Sequence, residues 1–104
     1  MTAPMFLSLK CLTNARDDAK HGAAAADDGE RPAASAAFDD ARTALYELLH
    51  EGPKLTDRDR EALTFDLNQF EEALGLLRIG RLKAAAYVAD RIVGSLTRVA
   101  DRWK

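Results

Sequence analysis

Three arginines and an aromatic residue near the C-terminus have types and spacing that favour a binding chemistry. Arg91, Arg98 and Arg102 follow one another at steps of seven and four, and Tyr87 lies four residues before Arg91. On an α-helix these steps place the four side chains along one stripe. Guanidinium groups bind carboxylates and phosphates through charge-assisted hydrogen bonds. The stripe therefore predicts contact with an acidic protein surface or, as a less favoured alternative, with nucleic acid.

The charge distribution also offers these arginines an internal role. Residues 75–104 hold seven basic and two acidic side chains, whereas residues 1–52 hold five and nine. Ion pairs with acidic residues such as Asp66, Glu71 or Glu72 would explain the stripe without any partner, and this interpretation ranks first. An acidic protein ranks second. Nucleic acid ranks third, because a net charge of −2 opposes association with a polyanion.

Residues that could perform catalysis or hold a metal ion are sparse. His21 and His50 have no cysteine, histidine or acid at a recognised ligand spacing, and Cys11 is the single cysteine. The chain also lacks a phosphate-binding glycine loop and a nucleophile elbow. We therefore expect a protein that is not an enzyme, with no catalytic residue, no cofactor and no metal site.

Hydropathy and cysteine content bear on location. No stretch approaches the roughly 20 apolar residues that span a bilayer, and the N-terminus lacks the features of a signal peptide. One cysteine cannot form an internal disulfide, which agrees with a reducing compartment. We expect a soluble, cytoplasmic protein without a membrane partner.

The second half of the chain must position the arginine stripe, and it has the pattern of two amphipathic helices. Thr56 and Asp59 form a variant of the capping box that begins the first helix, and Ile79-Gly80 separates the two. The pattern predicts an antiparallel helical hairpin over residues 56–104. Its apolar stripes are Leu63, Leu67, Phe70, Leu74 and Leu77, followed by Ala85, Val88, Ile92, Leu96, Val99 and Trp103.

The turn of this hairpin resembles that of a tetratricopeptide-type repeat. Small residues stand at Ala73 and Ala85, on either side of Gly80-Arg81-Leu82. Gln69 and Glu72 depart from that pattern, and no second copy follows at its spacing. The resemblance implies two helices packed closely through alanine, and not membership of the family.

A second apolar seam runs beside the first on the helix that begins near Thr56. Phe65 and Leu76 lie on it, about 100° from the main stripe. A helix with two seams contacts two neighbours, and the preferred second neighbour is the helix around Phe38–Leu49. Alternatively, another protein covers Phe65 and Leu76. Trp103 has two interpretations as well, because it could either cap the bundle or, with Arg102, anchor a partner.

The first half of the chain predicts two further helices. Met5, Leu9 and Leu12 share helical spacing, and a second helix, N-capped at Ser35, carries Phe38, Leu45 and Leu48 before it ends at Gly52-Pro53. Residues 14–37 hold alanines, acidic residues, glycines and one proline but no large apolar residue. We expect this segment to be a low-complexity, mobile connection, with the alternative that its alanines prolong the first helix for a turn or two.

Together these patterns predict one all-α domain over residues 1–104, a three- to four-helix bundle built on the C-terminal hairpin. The expected function is non-enzymatic binding of another protein, as an inhibitor, an adaptor or a small subunit of an assembly. In size and composition the chain resembles small acidic helical proteins of phages and mobile elements, including anti-CRISPR inhibitors. The alternatives are a nucleic-acid-associated helical subunit and a structural protein that self-associates as a homodimer. The candidate partner-binding residues are Phe65, Leu76, Tyr87, Arg91, Arg98, Arg102 and Trp103.

Overall fold

Small side chains allow the first helix to lie close to its neighbours. The computed structural model describes the backbone of residues 3–52 and 54–104 and the side-chain surroundings of residues 7–52 and 54–104. In it, α1 spans Ala3–Asp27. From residue 7 onward, Leu12 is the one large residue among its buried positions, so the neighbouring backbones approach closely. The buried positions in this part of α1 are Ser8, Leu12, Ala15, Ala19, Gly22, Ala23 and Ala26.

Three more helices complete an all-α bundle, as predicted. They are α2 over Arg31–Glu51, α3 over Asp57–Arg78 and α4 over Leu82–Trp103. Helix α1 packs against α2 and α4, and α3 packs against the same two helices, so α1 and α3 lie diagonally opposite. Short connections between successive helices make neighbours antiparallel. The resulting bundle measures 41 × 20 × 19 Å.

Two glycines make the turns that join α1 to α2 and α3 to α4. Gly29 and Gly80 have φ angles of 79° and 82°, which are costly for residues with a Cβ atom. The amide of Arg81 donates to Leu76 O at 2.9 Å, and that of Glu30 donates to Ala25 O at 2.8 Å. These bonds close each helix C-terminus in the manner of a Schellman motif. The turn predicted at Gly80 is confirmed, and the equivalent turn at Gly29 was not foreseen.

The N-cap predicted at Thr56, at the start of α3, is also confirmed. Thr56 precedes the helix in an extended conformation, and its Oγ1 accepts a hydrogen bond from the amide of Asp59 at 3.2 Å. Helix α2 ends at Glu51, next to the predicted stop at Gly52. Pro53 lies outside the described residues.

The expectation of a long connection over residues 14–37 is wrong. Residues 14–27 continue α1 and residues 31–37 belong to α2, so only Asp28–Glu30 remain between the helices. Ser35 is accordingly inside α2 and does not cap it, since the helix begins at Arg31 with Pro32 in its first turn. Alanine has the highest helix propensity, and an alanine face is buried when the facing helix supplies large side chains.

Large apolar side chains fill the centre from the other three helices. Phe38 of α2 and Phe70 of α3 are fully buried, with ring centroids 6.4 Å apart. The predicted contact between α3 and α2 is therefore confirmed. Phe65, however, is not covered by α2, because 60% of its surface is exposed.

The length and hydropathy of the described helices can be compared with those of a membrane-spanning helix. Among the described helices, none combines the length and the apolar character that a bilayer crossing requires.

Candidate protein-binding face

The polar residues on the inner stripe of α3 determine how α4 packs against it. Asp59 and Asp66 occupy stripe positions beside Leu63 and Phe70, and both aspartates are buried. Burying a carboxylate is unfavourable unless hydrogen bonds or cations compensate it. Helix α4 supplies a polar partner for each aspartate, so the two pairs align the helices along their length.

Near the start of α3, Asp59 binds the last turn of α4. Arg102 donates to Asp59 Oδ1 from Nε at 3.0 Å and from Nη2 at 2.6 Å. Trp103 Nε1 donates to Asp59 Oδ2 at 2.8 Å. Burial alone would raise the pKa of Asp59, but the hydrogen bonds from Trp103 and Arg102 outweigh burial and lower it. Arg102 and Trp103 thus have an internal partner that the sequence did not identify.

Replacing Asp59 with asparagine is expected to loosen this end of the bundle. Arg102 and Trp103 can only donate hydrogen bonds, whereas an asparagine amide has one accepting and one donating end. One donor would then face another donor, and the free energy of unfolding should fall by about 1–3 kcal/mol. Urea unfolding measures the loss, and the emission of Trp103 should shift to the red.

The matched control is Asp57→Asn, an exposed residue in the same first turn of α3. It loses the same charge near the helix N-terminus without touching α4. Equal unfolding midpoints for Asp59→Asn and Asp57→Asn would contradict a role for Asp59 in holding α4.

In the middle of the α3–α4 pair, Asp66 is bound by a serine. Ser95 Oγ donates to Asp66 Oδ2 at 2.6 Å, and only 1% of the Asp66 surface is exposed. Burial raises the pKa of Asp66 to about 6, although the Ser95 hydrogen bond and the positive charge of Arg98 both act to lower it. A carboxyl group with this pKa exchanges its proton near physiological pH.

A cavity of about 200 Å³ opens beside this carboxyl group. Its walls come from one face of α3 and one face of α4. Two of the predicted arginines and the exposed Phe65 therefore lie around a buried acid, a combination that was not predicted. The lining residues are Phe65, Asp66, Gln69, Arg91, Ile92, Ser95 and Arg98.

Two further candidate residues, Tyr87 and Leu76, lie along the same side of α4 and α3 as the cavity. Tyr87 is 65% exposed and lies one turn before Arg91 on α4, while Leu76 is half-buried and shares the Phe65 side of α3. We call the set Phe65, Leu76, Tyr87, Arg91 and Arg98 the outer α3–α4 face. Its role in binding stays a prediction.

In the groove between α2 and α3, by comparison, the arginine is already ion-paired. The groove between α2 and α3, about 410 Å³, contains Arg42 and Tyr46. There Arg42 Nη1 donates to Glu71 Oε1 at 2.8 Å, and the guanidinium also contacts Asp39. Arg91, by contrast, forms no ion pair with any described residue. The outer α3–α4 face thus contains a guanidinium group available to a partner.

Cys11 and His50, two residue types that often serve in catalysis, each contact a residue of α2. Cys11 Sγ donates to Ala44 O at 3.7 Å, and burial, aided by the charge of Glu47, raises the pKa of its thiol. The ring of His50 packs against that of Tyr46 in a tilted arrangement, with centroids 4.2 Å apart. In the described part of the chain, no three histidine, cysteine or acidic residues converge as a metal site would require.

Comparison with known proteins adds no functional assignment. The chain matches no family model, and no curated protein or solved structure is significantly similar to it.

Proposed function

We propose that this protein acts without catalysis, by binding another protein through the outer α3–α4 face. It would serve as an inhibitor, an adaptor or a small subunit of an assembly. The observation that carries the proposal is the position of Arg91, which has no ion pair with a described residue, lines a cavity with the exposed Phe65 and follows the exposed Tyr87 by one helical turn. Arginine and tyrosine are enriched among residues that dominate binding energy.

Two other functions use the same residues. A nucleic-acid-associated subunit would place phosphates on Arg91 and Arg98, and its binding would weaken steeply with salt. A homodimer would bury Phe65 and Leu76 against a second copy. The net charge of −2 disfavours the first, and the flanking arginines disfavour the second because two copies would bring like charges together.

Affinity capture from cells that produce the protein tests the proposal. We expect the double variant Arg91→Glu with Arg98→Gln to retain a specific partner at least about tenfold less well than wild type, a change of about 1.4 kcal/mol. Glutamine at 98 avoids placing a second carboxylate beside Asp66. The control is Lys10→Glu with Lys20→Gln, which changes the net charge equally at exposed positions of α1.

Three outcomes would contradict protein binding by this face. Equal retention by the arginine variant and the lysine control would show that the face is not the binding surface. Loss of the captured material on nuclease treatment would support the nucleic-acid alternative. A dimer in light scattering that dissociates on Phe65→Ser would support self-association.

A further inference from the structure

The cavity between α3 and α4 has the chemistry of a pocket for a single acidic group. We propose that it is an anchor pocket for one carboxylate side chain of the partner, held by Arg91 and Arg98 above Asp66. This inference rests on the proposed function and adds the chemistry that the partner presents.

Charge is the first reason. Arg98 is attracted to Asp66, so those two groups compensate each other, while Arg91 has no described ion-pair partner. One positive charge therefore remains at the cavity when Asp66 is ionised. A single carboxylate neutralises it, and guanidinium groups match the planar, two-oxygen geometry of a carboxylate.

The shape and surroundings of the cavity favour a side chain over a nucleic-acid strand. Phe65 and Ile92 provide apolar wall for methylene groups, and the amide of Gln69 adds a hydrogen-bond donor. Around the cavity, α3 carries exposed acids that would repel an extended polyanion but not a single inserted side chain. These acids are Glu61 and Glu72, each about one turn from a cavity residue of α3.

Asp66 couples this pocket to pH. Ser95 occupies Asp66 Oδ2, and no described residue donates to Oδ1. Because every buried polar side-chain atom of the described residues has a partner, Oδ1 is not sealed in the core and faces the cavity. Two carboxylates in one small site repel each other, so protonation of Asp66 would favour an incoming carboxylate.

The other charged groups near Asp66 are arginines, carried by α4 and by α2. From α4, Arg91 and Arg98 face the cavity, and both remain positively charged. From α2, Arg42 meets α3 on its other flank, where Glu71 binds it. The affinity for a carboxylate should therefore increase as the pH falls towards the pKa of Asp66, about 6.

Titration of the intact protein with capped glutamate, observed by NMR, tests the pocket without knowledge of the partner. We expect saturable shifts of the Arg91 and Arg98 side-chain Nε–H signals, with the Arg42 signal unchanged as an internal control. Capped glutamine is the matched neutral probe and should bind far more weakly. Affinity for capped glutamate should rise by at least about tenfold between about pH 8 and about pH 6, because protonation of Asp66 removes the negative charge nearest the ligand.

Two variants separate the pocket from a merely structural arrangement. Arg91→Gln should weaken capped-glutamate binding by about tenfold or more, since it removes the uncompensated charge. Asp66→Asn should tighten binding near pH 8 and abolish its pH dependence, because the amide carries no charge and can donate to the ligand. A role of Asp66 limited to packing would not produce this gain.

Several results would overturn the anchor pocket. These are the absence of saturable shifts, equal binding of capped glutamine, or an unchanged pH dependence in Asp66→Asn. Tighter binding of inorganic phosphate than of capped glutamate would also overturn it and would favour the nucleic-acid alternative. Loss of protein capture by the arginine double variant, combined with no probe binding, would refute the pocket and leave the proposed function intact.

Discussion

Gly22→Ala is expected to destabilise the bundle by about 1–3 kcal/mol, although alanine is the better helix former. A Cβ atom at residue 22 would lie 2.5 Å from Phe38 Cδ1, well inside van der Waals contact. The Phe38 ring is fully buried, so it cannot move aside into solvent. Helices α1 and α2 would have to separate. Urea unfolding of the variant and wild type measures the change.

Gly75→Ala is the matched control for this prediction. A Cβ atom at Gly75, on α3, meets no atom within 4 Å, so alanine there should stabilise the protein by about 0.5–1 kcal/mol through helix propensity. Phe38→Leu should partly rescue Gly22→Ala, because the smaller side chain leaves room for the methyl group. Additive effects of the two substitutions, or stabilisation by Gly22→Ala, would mean that the close approach is not rigid.

Asp66→Asn is expected to stabilise the protein at neutral pH, on the order of 1–3 kcal/mol. In the folded protein the pKa of Asp66 is about 6, above its ordinary value of 3.8, so the folded state binds the proton more tightly. The stability that this group contributes is therefore full below about pH 4, declines as the pH rises through 6, and stays low above it. Asparagine removes the buried charge and can still accept the Ser95 hydrogen bond.

Urea unfolding across about pH 4 to 8 tests this prediction. Asp66→Asn should lose the decline in stability seen in the wild type as the pH rises. Asp59 provides the opposite case, because its lowered pKa contributes stability that is lost on acidification. A variant less stable than wild type at neutral pH would indicate that ionised Asp66 is favourably bound, against the expectation from its burial.

The C-terminal hairpin could be predicted because its signals are local. Thr56 caps α3, Gly80 adopts the left-handed conformation at the turn, and most of the predicted apolar positions on both helices are buried. These features depend on residues within a few positions of one another. The same reasoning failed for residues 14–37, because a run of small residues was taken to lack a core face.

The missing information there was the identity of the facing helix. Ala15, Ala19 and Ala23 are buried because α1 packs against α2 and α4, and at Gly22 the large side chain of Phe38 lies against the helix. Nothing in the composition of α1 itself specifies that match. The complementarity of a small face and a large side chain is a property of two segments distant in sequence.

The candidate site was foreseen in part. Phe65, Tyr87, Arg91 and Arg98 were identified from helical spacing, but the buried Asp66 beneath them was considered only as an ion-pair partner. Its spacing of three from Leu63 and four from Phe70 was a usable signal, since it places an acid on the apolar stripe. Asp59 gave the same signal, four residues before Leu63.

By itself, the sequence determined that the chain forms amphipathic helices, where the C-terminal hairpin turns, and that arginines lie in line on its last helix. Only the tertiary structure decided that α1 packs along α2 and α4, and that Arg102 is bound to Asp59 while Arg91 has no ion pair with a described residue. Helix propensity, capping and glycine turns act between near neighbours in the chain. The protonation of Asp66 and the availability of Arg91 depend on burial and on charges that only the packed helices bring together.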